Sequence, residues 1–242
     1  MEFNCKQFSL NHTKSSMKIG TDAILLSSLT TIQNPDKILD IGTGCGIIAL
    51  CMAQKYQNAQ ITAVDIDQNS IEEAKDNFRK SKYASQLMAK EIDINTYAKT
   101  QEERYDLIIT NPPYFISSLE SSNEKRNKAR HTKSLNFQDL IQSTEKLLSQ
   151  EGILSIILPT IESQIFELIA QEKCFQTIYK ANIYSKLEKQ CERVVLHLQR
   201  KQENNPKGNK NVQILLEETI ILRNPDNSLT QTYTNLVKEY LL

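Results

Sequence analysis

The sequence predicts an α/β fold: a mostly parallel, seven-stranded sheet with helices on both faces and an antiparallel strand at one edge. Three observations carry this. Short β-branched runs alternate with polar stretches of helical composition, the first strong run opens into a glycine-rich turn, and two late apolar runs follow each other with little helix between them.

In chain order, the first helix is expected over Asp22 to Leu29, behind the turn Gly20-Thr21-Asp22, where Thr21 or Asp22 can satisfy the first free N–H groups. Ile38-Leu39-Asp40-Ile41 marks a strand over Lys37 to Ile41, and Gly42-Thr43-Gly44-Cys45-Gly46 hands it to a helix over Gly46 to Lys55. A second strand covers Gln60 to Ile66, and Asp67 is the better cap for the helix Gln68 to Lys80. Strands at Leu87 to Ile92 and Asp106 to Thr110 follow; the latter stops where proline withdraws its backbone donor. The polar stretch from Ser117 to Ser134 has few residues that fix a core and reads as a mobile loop or a functional lid. Helices over Phe137 to Leu148 and Ile161 to Glu172 then flank a strand at Ile153 to Leu158. The runs Gln176 to Ile183 and Arg193 to Leu198 suit an antiparallel pair at the sheet edge. A surface loop over Gln202 to Lys210, a strand over Val212 to Leu222 and a helix from Tyr233 complete the chain. At 242 residues this makes one domain, with residues 1–30 as a flap and helix and residues 211–242 as a strand-helix extension.

The bulk composition excludes several classes. Basic and acidic residues balance at 29 each, so any nucleic-acid site must be a local patch. The five cysteines are scattered without metal-ligand spacing, which suits reduced thiols and argues against both a disulfide framework and a metal centre. With no charged-then-apolar leader and no run of membrane-spanning length, the expectation is a cytosolic protein outside the membrane. Nothing demands an oligomer, and a monomer is the simplest state.

The residues richest in chemistry are Asn111-Pro112-Pro113-Tyr114, directly after the apolar run ending at Thr110. A planar amino group conjugated to a ring or carbonyl needs acceptors for two N–H bonds, and the Asn111 side-chain oxygen with a proline carbonyl supplies both. Tyr114 can stack on the ring. Taken alone, the two prolines are better explained as a strand terminator.

The glycine loop decides between these readings. A dinucleotide fingerprint wants glycine at the first, third and sixth positions, whereas the sixth position from Gly42 is Ile47. The spacing through Gly42, Gly44 and Gly46 is one residue short and suits a nucleoside ligand without a pyrophosphate, such as S-adenosylmethionine. Asp65, ending the next strand, is placed to accept from ribose hydroxyls, with Ile66 against an adenine face; the competing role is a strand-end acid or cap. Asp93 ends the third strand and can accept from an adenine amino group, or simply be solvated. In a doubly wound sheet the order reverses between the first and fourth strands, and ligands bind in the crevice at that reversal. The glycine loop and Asn111 then face each other across one cleft.

These residues resemble class I S-adenosylmethionine-dependent methyltransferases of the amino-methylating kind, a Rossmann-like fold, over nearly the whole chain. Lys6-Gln7-Phe8, His12 and Met17-Lys18-Ile19-Gly20-Thr21-Asp22-Ala23-Ile24-Leu25-Leu26 are further similar to the opening of bacterial tRNA (adenine-N6)-methyltransferases that modify adenine 37 of valine tRNA. Ala129-Arg130-His131-Thr132, Arg223-Asn224-Pro225-Asp226 and Tyr233-Thr234 fall where that family has comparable segments. The resemblance implies a catalytic role for Asn111, Pro112, Pro113 and Tyr114. It implies a cofactor role for Asp40, Gly42, Gly44, Gly46, Asp65 and Asp93, with Cys45 where a small residue is usual. The turn at Thr21 becomes a flap over the methionine part of the cofactor, or remains a helix start.

The implied substrate is an anticodon loop, whose adenine must leave its stack to reach the pocket. Lys125, Arg126, Lys128, Arg130 and Lys133 form a basic run just beyond the Pro-Pro turn, placed for phosphate contacts, with Lys14 and Lys18 as possible additions. The absence of a Pro-Cys turn argues against carbon methylation of pyrimidines. Three rivals stay open: guanine N2 in ribosomal RNA, a release-factor glutamine amide, and a nucleoside-binding RNA chaperone without catalysis. The glutamine enzyme is disfavoured by the lack of a long helical segment before the glycine loop, and the chaperone by the intact amino-group acceptor.

Overall fold

The computed structural model describes residues 2–15, 19–113, 136–201 and 215–241. It opens on a hairpin of β1 (Glu2–Asn4) and β2 (Ser9–Asn11), followed by α1 (Thr21–Leu29). The alternating core runs β3 (Lys37–Ile41), α2 (Ile47–Lys55), β4 (Gln60–Asp65), α3 (Gln68–Lys80), β5 (Leu87–Glu91), α4 (Ile94–Thr100) and β6 (Tyr105–Thr110). It continues through α5 (Phe137–Leu147), β7 (Leu148–Pro159) and α6 (Thr160–Glu172). The chain closes with β8 (Phe175–Tyr184), β9 (Cys191–Arg200), β10 (Leu216–Ile221) and α7 (Gln231–Val237).

The main sheet has eight strands in the order β10-β8-β9-β7-β6-β3-β4-β5. Seven of these match the expected set, and β10 is the strand of the C-terminal extension. The antiparallel strand is β9, and it is interior: β7 lies on one side, β8 on the other, and β10 adds to β8 in parallel. The expected antiparallel pair towards one edge is therefore β8 with β9, and β10 adds one strand outside it. Val194, Val195, Leu196 and Leu198 are all nearly inaccessible, so β9 must be covered on both faces. Residues 216–219 of β10 are exposed and carry Glu217 and Glu218, the charge that protects an open edge from further pairing.

Apolar residues on alternate positions divide between two layers. Helices α1, α2, α3 and α7 close over one face, burying Leu26, Ile38, Leu50 and Ile61. Helices α4, α5 and α6 cover the other, around Leu39, Ile108, Leu140 and Phe166. Burial on both faces explains why β3 and β6 are nearly continuous apolar runs. The chain ends meet on the first layer: the Lys6 amide donates to the Tyr240 carbonyl at 2.9 Å, and the Gln54 side chain donates to the Glu239 carbonyl at 2.7 Å.

Helix signals hold with two exceptions among the described residues. Asp67 caps α3, its carboxylate accepting from the Ser70 amide. At α1, however, the N-cap is Gly20 with no side-chain cap, and Asp22 instead accepts from Arg193 Nε at 2.9 Å. Helix α4 was not foreseen at all. Among the described residues no helix is long and apolar enough to cross a membrane, and no group of three His, Cys, Asp or Glu side chains is placed to hold a metal.

Candidate active site

The cleft follows from register. Strands β3 and β6 are parallel neighbours with Ile41 opposite Thr110, so Gly42 and Asn111 leave the sheet side by side. Thr110 Oγ1 donates to the Ile41 carbonyl at 2.8 Å and ties the two strand ends together. From β3 the chain winds outward through β4 and β5; from β6 it winds the other way through β7. This is the reversal at which an open α/β sheet offers a crevice.

The glycine loop is pinned to the end of β4. The amides of Gly42 and Thr43 donate to the Val64 carbonyl at 2.9 and 3.1 Å, Gly44 donates to Asp65 Oδ2 at 2.9 Å, and Gly46 donates to the Thr43 carbonyl at 2.9 Å. Phosphate-binding loops present free N–H groups to the anion. Here four are spent inside the protein, which agrees with a nucleoside ligand rather than a dinucleotide. The glycines also divide by role. Gly44 has φ +55° with nothing within 4 Å of where a Cβ would stand, so the space above it is open. At Gly46, with φ +89°, a Cβ would meet the Phe78 ring, 2.9 Å from Cζ and closer still to Cε1. Gly46 therefore serves packing between the loop and α3, while the open positions at Gly42 and Gly44 leave room for a ligand.

Asp40 lies fully buried beneath the loop, where Thr43 Oγ1 donates to its Oδ2 at 2.6 Å. Burial pushes its carboxyl up to about 7, against the opposing hydrogen bonds. It shapes the loop from below. Asp65 does the same from the side: Oδ2 takes the Gly44 amide and Oδ1 takes the Asp67 amide at 2.9 Å. Ile66 is 50% exposed, an apolar side chain left open beside that carboxylate. Asp93 is exposed and is the N-cap of α4, with Oδ1 accepting from the Thr96 amide at 3.0 Å. Thr21 opens α1 and is exposed.

Asn111 and Pro113 are half-buried and Pro112 is buried. Tyr114 and the basic residues Lys125, Arg126, Lys128, Arg130 and Lys133 lie outside the described residues, as does Lys18. Lys14 is described, and pairs with Glu72 at 3.8 Å.

Sequence reading missed the platform that α3 offers the loop. Glu73 is 3% exposed, and its carboxylate accepts from the amides of Thr13, Lys14 and Ser15 at 2.7 to 3.0 Å. Asn77, 1% exposed, accepts from the Asn11 amide at 2.9 Å and donates to the carbonyls of Asn11 and Cys45 at 2.8 Å. The available signal was spacing: Ser70, Glu73 and Asn77 recur along the helix beside the apolar stripe of Ile71, Ala74 and Phe78.

Comparison with known proteins shows the family and the fold. The family model described as the methyltransferase small domain matches residues 12–188. The chain belongs to this family, whose members are S-adenosylmethionine-dependent methyltransferases of the class I fold. It is 34% identical, over 99% of its own length and 93% of the relative's, to the tRNA1(Val) (adenine(37)-N6)-methyltransferase of Proteus mirabilis. Among solved structures, a predicted O-methyltransferase from Agrobacterium tumefaciens superposes with a TM-score of 0.69 at 18% identity, covering 91% of this chain and 98% of that one. A putative class I S-adenosylmethionine-dependent methyltransferase from Listeria monocytogenes gives 0.57 at 15% identity, covering 85% and 65%. These two show the fold.

The residues fit the cofactor that the family uses. Open space over Gly42 and Gly44, a carboxylate at Asp65 and an exposed apolar side chain at Ile66 suit the polarity of an adenosine.

Proposed function

We propose that the protein methylates the N6 amino group of adenine 37 in valine tRNA, in the cytoplasm, with the anticodon loop as its contact. The adjacency of Gly42 and Asn111 at the sheet reversal carries the mechanism. The names of the full-length relatives carry the choice of nucleotide.

Asp65 accepts from the ribose hydroxyls, Ile66 packs against the adenine ring, and Gly42 and Gly44 let the ligand approach the backbone. Asp40 and Gly46 keep the loop in shape. Asp93 has one oxygen committed to its helix and offers the other to the adenine amino group; Thr21 borders the methionine end. When bound, S-adenosylmethionine supplies an electrophilic methyl group on a sulfonium.

The nitrogen lone pair of an adenine amino group is delocalised into the ring and is a poor nucleophile. Hydrogen bonds to the Asn111 side-chain oxygen and the Pro112 carbonyl favour a more pyramidal nitrogen and aim its lone pair, while Pro113 fixes the turn. An amide is no base at neutral pH, so the proton leaves to solvent after transfer. Catalysis is then chiefly positioning. Stacking on Tyr114 returns roughly 1–3 kcal/mol of the cost of unstacking the base. The basic run from Lys125 to Lys133 holds phosphates and makes binding salt-dependent.

The test incubates the protein with radiolabelled S-adenosylmethionine and unmodified tRNA, then digests the RNA to nucleosides. Label is expected in N6-methyladenosine alone; label in N2-methylguanosine, or in protein, would replace this reading with one of its rivals.

A further inference from the structure

Beyond the groups that face the ligands, α3 joins the N-terminal segment to the glycine loop. Glu73 gathers the three consecutive amides of Thr13, Lys14 and Ser15, together with the Thr13 hydroxyl at 3.1 Å. No other described carboxylate accepts from three consecutive amides of a distant segment. One turn later, Asn77 bridges the Asn11 backbone and the Cys45 carbonyl, so a single side chain touches both the end of β2 and the glycine loop. The next residue after Asn77 is Phe78, whose ring fills the space that Gly46 leaves.

From this arrangement we infer that Glu73 and Asn77 are positioning residues for the cofactor: they lock residues Asn11–Ser15 against the glycine loop, so that loop and N-terminal segment are ordered together. Neither touches the reacting atoms. A carboxylate that accepts several backbone amides has no equivalent in a neutral amide, which would turn an N–H towards an N–H. The acid is needed ionised, and those amide bonds hold its carboxyl below the usual range against the desolvation that opposes them. The locking is therefore intact through the neutral range. Coupling is reciprocal: if the segment orders the loop, a ligand on the loop must order the segment.

The inference rests on the glycine loop being the S-adenosylmethionine site, and its test separates the two. Wild-type protein is titrated calorimetrically with S-adenosylmethionine, and amide exchange at Thr13, Lys14 and Ser15 is followed with and without it. Binding with at least about tenfold slower exchange at these amides is expected, a size typical of a modest coupling free energy. Binding that leaves their exchange unchanged overturns the inference but not the function; absence of binding overturns the function. Glu73→Gln is expected to raise both the dissociation constant and the KM for S-adenosylmethionine about tenfold or more, with kcat within about twofold. Glu72→Gln, on the same helix but on its surface, should change neither. A Glu73→Gln enzyme that loses kcat at constant KM would show only a reduced folded fraction and would reject the positioning role.

Discussion

One row of residues crosses both halves of the sheet and meets opposite fates in them. Asp40 on β3 stands opposite Ile109, Ile109 opposite Ser155, Ser155 opposite His197, and His197 opposite Tyr179. In the parallel half, buried Asp40 is tied by Thr43 to the loop that ends its strand. In the antiparallel half, His197 stacks on Tyr179 with ring centroids 4.4 Å apart, and its Nε2 has no hydrogen-bond partner among the described residues. Between them Ser155 shares a 2.6 Å hydrogen bond with Thr30. Burial works against the charged form of both groups, but only one is coupled to a strand end where backbone geometry opens. Under the proposed function the parallel half carries the chemistry, because its strands deliver loops to a reversal; the antiparallel half supplies a packed wall.

The largest expected effect is at that reversal. Asn111→Ala should lower kcat about a hundredfold or more while leaving the dissociation constant for S-adenosylmethionine within about twofold, since the residue acts on the acceptor. Equal losses in both would place Asn111 in the cofactor site instead.

The two kinds of glycine come next. Gly46→Ala combines a left-handed backbone with a collision against Phe78 and should cost about 3 kcal/mol or more in denaturant unfolding. Gly44→Ala carries only the backbone strain, about 1 kcal/mol, yet should weaken S-adenosylmethionine binding at the open side of the loop. Equal unfolding costs would erase the distinction between packing and ligand glycines.

The row itself gives opposed pH slopes. His197 titrates near 6.5 when unfolded, and burial, aided by Lys55, pushes it down to about 4 in the fold. The unfolded chain then binds more protons, so stability is lost as pH falls from about 6.5 towards 4. Asp40 titrates near 3.9 unfolded and about 7 folded, so its contribution is present at low pH and lost as pH rises through that window. Unfolding free energies from pH 4.5 to 7 should therefore rise less steeply with pH in His197→Phe than in wild type, and more steeply in Asp40→Asn. Each difference should be at most about 1.4 kcal/mol per pH unit. Parallel curves for all three proteins would mean that burial shifts neither group.

The smallest effect concerns Asp93. Removing the cap in Asp93→Ala should cost about 1 kcal/mol of stability. Unchanged affinity for S-adenosylmethionine would restrict Asp93 to α4, whereas weaker binding would add the adenine contact.

The strands were readable because burial on both faces leaves few positions for polar residues: β3 was placed to the residue, as was the helix Gln68–Lys80 with its Asp67 cap. Helix α4 escaped because seven residues carry too little amphipathic pattern, and the acid that caps it also suits a ligand. The hairpin β1–β2 escaped because three-residue strands have no period to detect. The interior place of β8 depends on β10, whose pairing partner no local signal names. At the proposed site, Asn111 and the glycine loop can be singled out from sequence because their chemistry and spacing are local. Glu73 and Asn77 were not, because on a polar helix a buried acid and a solvated one look alike until the segment that buries them is in place.

The most direct measurement offers the protein two valine tRNA transcripts that differ only in carrying adenine or guanine at position 37, with labelled S-adenosylmethionine under single-turnover conditions. The account predicts one methyl group per adenine transcript, recovered as N6-methyladenosine, and none above background with guanine. Comparable labelling of both transcripts would contradict an adenine amino group held beside the glycine loop by Asn111.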